Sequence, residues 1–128
     1  MPKVLVVEDT PELRSLLEVR LRQSGHLVIS VGSGEEALRV LAEKGAPDVA
    51  VLDVSMPGMS GLDLHARLRE DPSLATVPVI FLSARVQPED IAAGQALGAT
   101  YLTKPVVVSA LNKAIERALQ PVAAVGGW

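Results

Sequence analysis

We expect this chain to fold as an α/β protein with a doubly wound, five-stranded parallel sheet and five helices. Two features of the 128-residue sequence predict this fold. Short apolar runs alternate five times with amphipathic segments, which is the order of repeated strand–helix units. Each run is continuously apolar, and such runs are typical of parallel strands that helices cover on both faces. Right-handed crossovers and the size of the chain favour the strand order 2-1-3-4-5.

The first strand–helix unit has clear boundaries. An apolar run at residues 4–7 ends at Glu8 and Asp9. Thr10 and Pro11 then predict a helix cap followed by proline at the first helical position. Four leucines recur at helical spacing before Gly25 stops the helix: Leu13, Leu16, Leu17 and Leu21. The unit is therefore predicted to be a strand followed by an amphipathic helix.

The second and third units carry capping patterns. Residues 27–29 form the second apolar run, and Ser33 with Glu36 has the spacing of a capping box before a helix that ends at Gly45. The third run, residues 49–52, ends at Asp53 and a turn rich in proline and glycine. A helix from about 60 to 69 follows, and Ser60 with Asp63 has capping-box spacing at its start.

The last two units complete the predicted domain. The fourth run, residues 79–82, ends at Ser83, and a helix is predicted from near Pro88 to about residue 98. The short fifth run, around residues 101–102, ends at Lys104, and a final helix has an apolar stripe at helical spacing. Residues 1–120 are predicted to form one domain, and residues 121–128 a flexible tail or the start of a linker.

Composition excludes several classes of function. Aromatic residues are 2% of a chain that is 48% apolar, so the core must be aliphatic. A net charge of −3, without any run of lysine or arginine, argues against contact with nucleic acid. The sequence has no cysteine and no apolar stretch long enough for a membrane span or a signal peptide. We therefore expect a cytoplasmic domain without membrane contact.

Polar side chains follow four of the five predicted strands. Ligands of open α/β sheets bind at the carboxyl ends of the strands, where Glu8, Asp9, Asp53, Ser83 and Lys104 are predicted to converge. Each alone has an ordinary role, because acids complement helix N-termini, aspartate favours turns, and serine and lysine are common on surfaces. Their coincidence at one edge of the sheet, which the opposite edge lacks, favours a functional site.

The residue types of this predicted cluster suit phosphoryl chemistry. Three neighbouring carboxylates repel one another, and a hard divalent cation such as Mg²⁺ relieves that repulsion. A carboxylate beside Mg²⁺ is a reasonable nucleophile toward a phosphoryl group, whose oxygens the nearby ammonium of Lys104 would hold. The sequence therefore predicts an aspartyl phosphate at Asp53.

Four motifs in order, VVEDTP, VLDVSMPGMSGL, FLSA and YLTKP, make residues 3–119 resemble the receiver domain of two-component response regulators. The resemblance implies a flavodoxin-like fold and a phosphoacceptor, Asp53, that is served by a sensor histidine kinase or a histidine phosphotransfer protein. It also implies that Glu8 and Asp9 bind Mg²⁺ together with Asp53 and the main-chain carbonyl of Ser55.

The same resemblance implies a conformational switch. Ser83 corresponds to the hydroxyl that turns toward the phosphoryl oxygens, and Ala84 to the small residue behind it. Lys104 corresponds to the lysine that pairs with the phosphoryl group, before a Pro105 whose peptide bond is expected to be cis. Tyr101 corresponds to the aromatic residue that changes rotamer. The fourth helix, fifth strand and fifth helix would then contact a downstream effector or an output domain, with a phosphorylation-dependent dimer as a further expectation.

Other classes of protein fit less well. A Mg²⁺-dependent phosphohydrolase that uses Asp53 as its nucleophile is the alternative, but such enzymes commonly carry a second acid where this chain has Ser55. A dinucleotide-binding domain would need the G-x-G-x-x-G pattern after the first strand, and residues 8–11 read EDTP. We therefore predict a signalling phosphoacceptor rather than an enzyme that turns over external substrate.

Overall fold

The sheet and its helices follow the predicted order in the computed structural model, which describes residues 1–84, 87–89, 92, 96 and 99–120. The strands are all parallel and lie in the order β2-β1-β3-β4-β5. The elements are β1 (Lys3–Val7), α1 (Pro11–Gln23), β2 (Leu27–Val31), α2 (Gly34–Lys44), β3 (Val49–Asp53), α3 (Gly61–Glu70), β4 (Val79–Ser83), β5 (Ala99–Thr103) and α4 (Val108–Ala118).

Two aliphatic cores cover the two faces of the sheet. Successive residues of a strand point to opposite faces, so Val4 and Val6 pack against α1 and α4, whereas Leu5 and Val7 pack against α2 and α3. All five residues of β3 are buried, because this central strand has helices on both sides and strands on both edges. Burial on both faces explains why the strands read as continuously apolar runs.

The predicted helix starts are correct, but their caps differ. Ser33 Oγ accepts a hydrogen bond from the Glu36 amide at 3.1 Å, and Ser60 forms a complete capping box with Asp63. Thr10 occupies the cap position before Pro11, yet its side chain makes no cap hydrogen bond with any described residue. The Thr10 amide instead donates to Glu8 Oε2 at 3.0 Å, which ties the start of α1 to the end of β1.

Two predictions fall partly or wholly outside the described residues. Four helices are complete within the described ranges, and the predicted helix from Pro88 to about residue 98 lies mostly outside them; residues 88, 89, 92 and 96 are helical. The predicted tail at residues 121–128 also lies outside the described part of the chain. Among the described residues, no helix has the length and apolar character that crossing a bilayer requires.

Two adjacent leucines of α1 differ in burial and so test how much the core between α1 and the sheet contributes to stability. Leu17 is fully buried, whereas Leu16 is 49% exposed. We expect Leu17→Ala to lower the free energy of unfolding by about 3 kcal/mol, because it removes buried methyl groups and leaves a cavity. Leu16→Ala should change it by less than about 0.5 kcal/mol. Urea denaturation followed by circular dichroism measures both, and equal losses would contradict the assigned burial.

Candidate functional site

The carboxylates at the ends of β1 and β3 lie side by side. Register pairs Val7 of β1 with Leu52 of β3, so that the next residues, Glu8 and Asp53, meet at the carboxyl edge of the sheet. Asp9 joins them: each of the three offers a carboxylate oxygen, and these oxygens all lie within 4.8 Å of one another. The predicted acidic cluster is therefore formed, and its oxygens are spaced closely enough to share one cation.

Glu8 is the most deeply buried member of this cluster. Its side chain is completely inaccessible to solvent, and Oε2 accepts the Thr10 amide. Oε1 has no hydrogen-bond partner among the described residues and faces the Lys104 ammonium in an ion pair of 3.1 Å. A buried carboxylate oxygen with spare acceptor capacity, in a set of hard oxygen ligands, fits a divalent cation such as Mg²⁺.

Lys104 bridges the two buried carboxylates. Its Nζ lies 3.1 Å from Glu8 Oε1 and 3.1 Å from Asp53 Oδ2. The backbone directs this side chain, because the Lys104 amide donates to the Ser83 carbonyl at 2.7 Å and so extends the pairing of β4 with β5. The Lys104–Pro105 peptide bond is cis, as the resemblance implied. Lys104 directly follows the edge strand β5 and contacts the carboxylates of Glu8 and Asp53 from there.

The charges of the site perturb one another. Burial raises the pKa of Glu8 to about 7 from an ordinary 4.5; the Thr10 amide opposes this rise, Asp53 adds to it and Lys104 opposes it. Burial disfavours the Lys104 ammonium, but the ion pairs with Glu8 and Asp53 outweigh burial and raise the Lys104 pKa. The lysine thus stays charged, while Glu8 holds a proton up to near neutral pH.

The remaining predicted residues surround Asp53. Asp53 is 2% exposed, and its Oδ1 accepts the Ser55 amide at 3.2 Å. Ser83 is the half-buried last residue of β4, next to Leu82, which pairs with Asp53 across the sheet. Ser55 is exposed and Ala84 follows Ser83 at the surface. Both serines therefore flank the predicted acceptor.

Tyr101 lies on β5 one residue before the level of Asp53, and its ring is the first of three rings in contact: Tyr101, Phe81 and His65. It pairs with Phe81 across β4 and β5, and their ring centroids are 5.0 Å apart. Phe81 also contacts the ring of His65 of α3 in an edge-to-face arrangement, with ring centroids 5.4 Å apart. Burial and then the charge of Arg69 lower the pKa of His65, so its ring is neutral near pH 7. The half-buried Tyr101 is therefore linked to α3 through Phe81.

Sequence reasoning missed Arg14. Its Nη1 donates to the Glu8 carbonyl at 2.9 Å, so α1 holds the backbone of the most buried carboxylate. A Cβ on Gly32 would lie 2.8 Å from the same nitrogen, which shows how closely the end of β2 approaches the guanidinium. The first contact spans only six residues, from the end of β1 into α1, whereas the second joins α1 to the residue that follows β2 and has no signal in the local sequence.

Comparison with known proteins defines the class of protein. A family model described as "Response regulator receiver domain" matches residues 4–116. The chain therefore belongs to the receiver domain family of two-component response regulators. Receiver domains are signalling domains that bind Mg²⁺ at an acidic cluster and interact with histidine kinases and output domains. The alternative of a phosphohydrolase is not favoured.

Relatives and solved structures agree with this assignment. The transcriptional regulatory protein AfsQ1 of Streptomyces coelicolor is 38% identical over 121 residues, which are 94% of this chain and 52% of AfsQ1. Protein PilH of Pseudomonas aeruginosa is 34% identical over 120 residues, which are 93% of this chain and 98% of PilH. The structure of the chemotaxis protein CheY4 of Vibrio cholerae matches with a TM-score of 0.84 and 32% identity, over 93% of this chain and 99% of that one. The chain thus spans about half the length of AfsQ1 and nearly all of PilH.

The raised pKa of Glu8 predicts how stability depends on pH in metal-free protein. The folded state holds the Glu8 proton more tightly than the unfolded state, so this contribution is complete below pH 4.5 and is lost as pH rises to about 7. Relative to Glu8→Gln, which carries no titrating group there, wild type should lose on the order of 2 kcal/mol of unfolding free energy across this range. Urea denaturation with a chelator present measures the difference.

An exposed glutamate provides the control for this pH dependence. Glu12 lies in the first turn of α1 and is exposed. Glu12→Gln keeps the Glu8 carboxyl and should therefore lose unfolding free energy across the same pH range, as wild type does. A wild-type curve parallel to that of Glu8→Gln would contradict the proposed proton uptake at Glu8.

Proposed function

We propose that Asp53 is the phosphoacceptor of this receiver domain. The observation that carries the proposal is the ion pair of Lys104 with Asp53, formed within a cluster of three carboxylates that can share one cation. Glu8, Asp9, Asp53 and the main-chain carbonyl of Ser55 would hold Mg²⁺. When bound, the cation supplies positive charge to the phosphoryl oxygens and to the attacking carboxylate.

The reaction needs little covalent chemistry from the protein. A carboxylate oxygen of Asp53 attacks the phosphorus of a phosphohistidine while the bond from phosphorus to the imidazole nitrogen breaks, so the phosphoryl group moves and the histidine is released. The Ser55 amide orients the Asp53 carboxylate through Oδ1. Lys104, already 3.1 Å from Oδ2, needs only to exchange a carboxylate partner for a phosphoryl oxygen.

Ser83 and Tyr101 are the proposed switch residues. An aspartyl phosphate adds negative charge and acceptor oxygens beside Ser83 and Lys104, which are joined by the hydrogen bond between the Lys104 amide and the Ser83 carbonyl. A shift of the end of β4 toward the phosphoryl group would therefore also move β5, which carries Tyr101. The change shifts the population of an existing conformation and alters the surface around β5 and α4.

The partners follow from this role. A sensor histidine kinase or a histidine phosphotransfer protein would supply the phosphoryl group in the cytoplasm, and an effector protein or an output domain would read the altered surface. The acidic composition of residues 1–120 supports contact with protein rather than nucleic acid. A phosphorylation-dependent dimer through the same surface is part of the proposal. Catalysis by the domain itself is limited to self-phosphorylation from small phosphodonors and to loss of its own phosphoryl group.

Acetyl phosphate tests the acceptor directly. With Mg²⁺ present, wild-type protein should gain the mass of one phosphoryl group, and peptide mapping after reductive trapping should locate it at Asp53. Asp53→Asn should gain none, because its amide is a poor nucleophile. Asp71→Asn, which alters an exposed aspartate at the C-terminal end of α3, serves as the folded control and should be labelled like wild type. Labelling of Asp53→Asn at the wild-type rate would contradict the proposal.

Calorimetry with MgCl₂ tests the cation site. Asp9→Ala should weaken Mg²⁺ binding by about tenfold or more, because one charged ligand is lost from the cluster. Glu12→Ala removes an exposed carboxylate three residues further along and should leave the affinity within about twofold. Equal affinities of the two variants would mean that Asp9 only complements the N-terminus of α1.

A further inference from the structure

Two helices of the fold start in the same way. Both α2 and α3 have a serine at the cap position and glycine as the first helical residue, Gly34 in α2 and Gly61 in α3. Neither glycine has a positive φ, so backbone conformation does not require glycine at either place. Alanine is the better helix former, and a glycine there needs another explanation.

The surroundings of the two glycines differ in kind. A Cβ on Gly34 would lie 2.7 Å from Met59 Sδ and 3.0 Å from Met59 Cβ and Cγ; rotation of the side chain moves Sδ and Cγ, and Cβ at 3.0 Å needs to move by only a few tenths of an ångström. A Cβ on Gly61 would lie 2.2 Å from the Asp53 carbonyl oxygen, 2.9 Å from the Asp53 carbonyl carbon and 3.1 Å from Val54 Cα. These are backbone atoms, so at Gly61 no side chain can rotate away to make room.

Hydrogen bonds fix the peptide that Gly61 contacts. The Gly61 amide donates to the Val54 carbonyl at 3.1 Å, and the Val54 amide donates to the Leu82 carbonyl of β4 at 2.9 Å. The chain directly after Asp53 is thus held between β4 on one side and the first residue of α3 on the other. An added methyl group would push the Asp53 peptide against β4 or push α3 away from it.

We propose that Gly61 is a positioning residue for phosphoryl transfer. The missing side chain lets α3 rest directly on the Asp53 peptide, and this contact sets where the Asp53 carboxylate stands relative to Glu8 and Lys104. The inference rests on the proposed role of Asp53. Relief of the 2.2 Å contact requires a shift of the order of 1 Å, and a displacement of that size at a reacting group can lower a rate by about 100-fold.

The experiment compares Gly61→Ala with Gly34→Ala, the same substitution at the same position of two capped helices. In MgCl₂ and acetyl phosphate, the rate constant for phosphorylation of Gly61→Ala should fall at least about tenfold, and that of Gly34→Ala should stay within about threefold of wild type. Rates are calculated per folded molecule, with the folded fraction taken from denaturation curves. A general loss of stability then cannot imitate the effect.

A second measurement is independent of the cation and of the reaction. In metal-free protein, the amide NMR resonances of Val54 and Ser55 should move in Gly61→Ala, because the Val54 amide bonds to Leu82 and the Ser55 amide to Asp53 Oδ1. In Gly34→Ala the same two resonances should stay close to their wild-type positions. Displaced resonances together with a slow rate are what a positioning role predicts.

A third variant keeps the proposal testable if Gly61→Ala does not fold. One glycine inserted between Met59 and Ser60 loosens the contact of α3 with the Asp53 peptide without adding an atom at Gly61, and it should also slow phosphorylation at least about tenfold. Wild-type rates in Gly61→Ala, or in the insertion variant where Gly61→Ala fails to fold, would overturn the inference. An unlabelled wild-type protein would instead overturn the proposed function of Asp53.

Discussion

The pairing of one ammonium with two buried carboxylates is the interaction on which the site depends. The parallel sheet brings Glu8 and Asp53 together at one edge, where neither carboxylate can be charged cheaply without a cation. Lys104, at 3.1 Å from both, supplies that cation in the metal-free protein. The ion pairs also constrain the register of β5, because a shift of one residue would turn the Lys104 side chain to the other face of the sheet.

The fold and the members of the site could be predicted because both depend on local signals. Continuous apolar runs identify buried parallel strands, and the polar residue that follows each run must then lie at the common carboxyl edge. The burial of those residues and the contacts between them could not be predicted in the same way. The Thr10 amide and the Arg14 side chain hold Glu8 through contacts that its residue type alone does not reveal, and the approach of Lys104 depends on the register of β5. The ion pairs of Lys104 with Glu8 and Asp53 join residues that are far apart in the sequence, so the local sequence leaves no mark of them.

The starts of the helices also differ in how well the sequence pattern predicts their cap hydrogen bonds. Ser33 and Ser60 cap their helices as their spacing predicts, because the hydroxyl and the amide it accepts from lie within one turn. At Thr10 the hydrogen bonding differs, since the carboxylate of Glu8, which directly follows β1, accepts the Thr10 amide. The start of α1 is therefore tied to the acidic cluster through Glu8.

The contact between two aromatic rings adds a free-energy cost to the proposed rotation of Tyr101. Phe81 and Tyr101 are the only phenylalanine and tyrosine in the chain, and they contact each other in an otherwise aliphatic core. Phe81 also makes an edge-to-face contact with the ring of His65 on α3. Any rotation then gives up an aromatic contact worth about 1 kcal/mol. In the proposed switch, the negative charge of a phosphoryl group on Asp53 would have to offset this loss, so the ring contact favours the Tyr101 rotamer described here by a factor of about five.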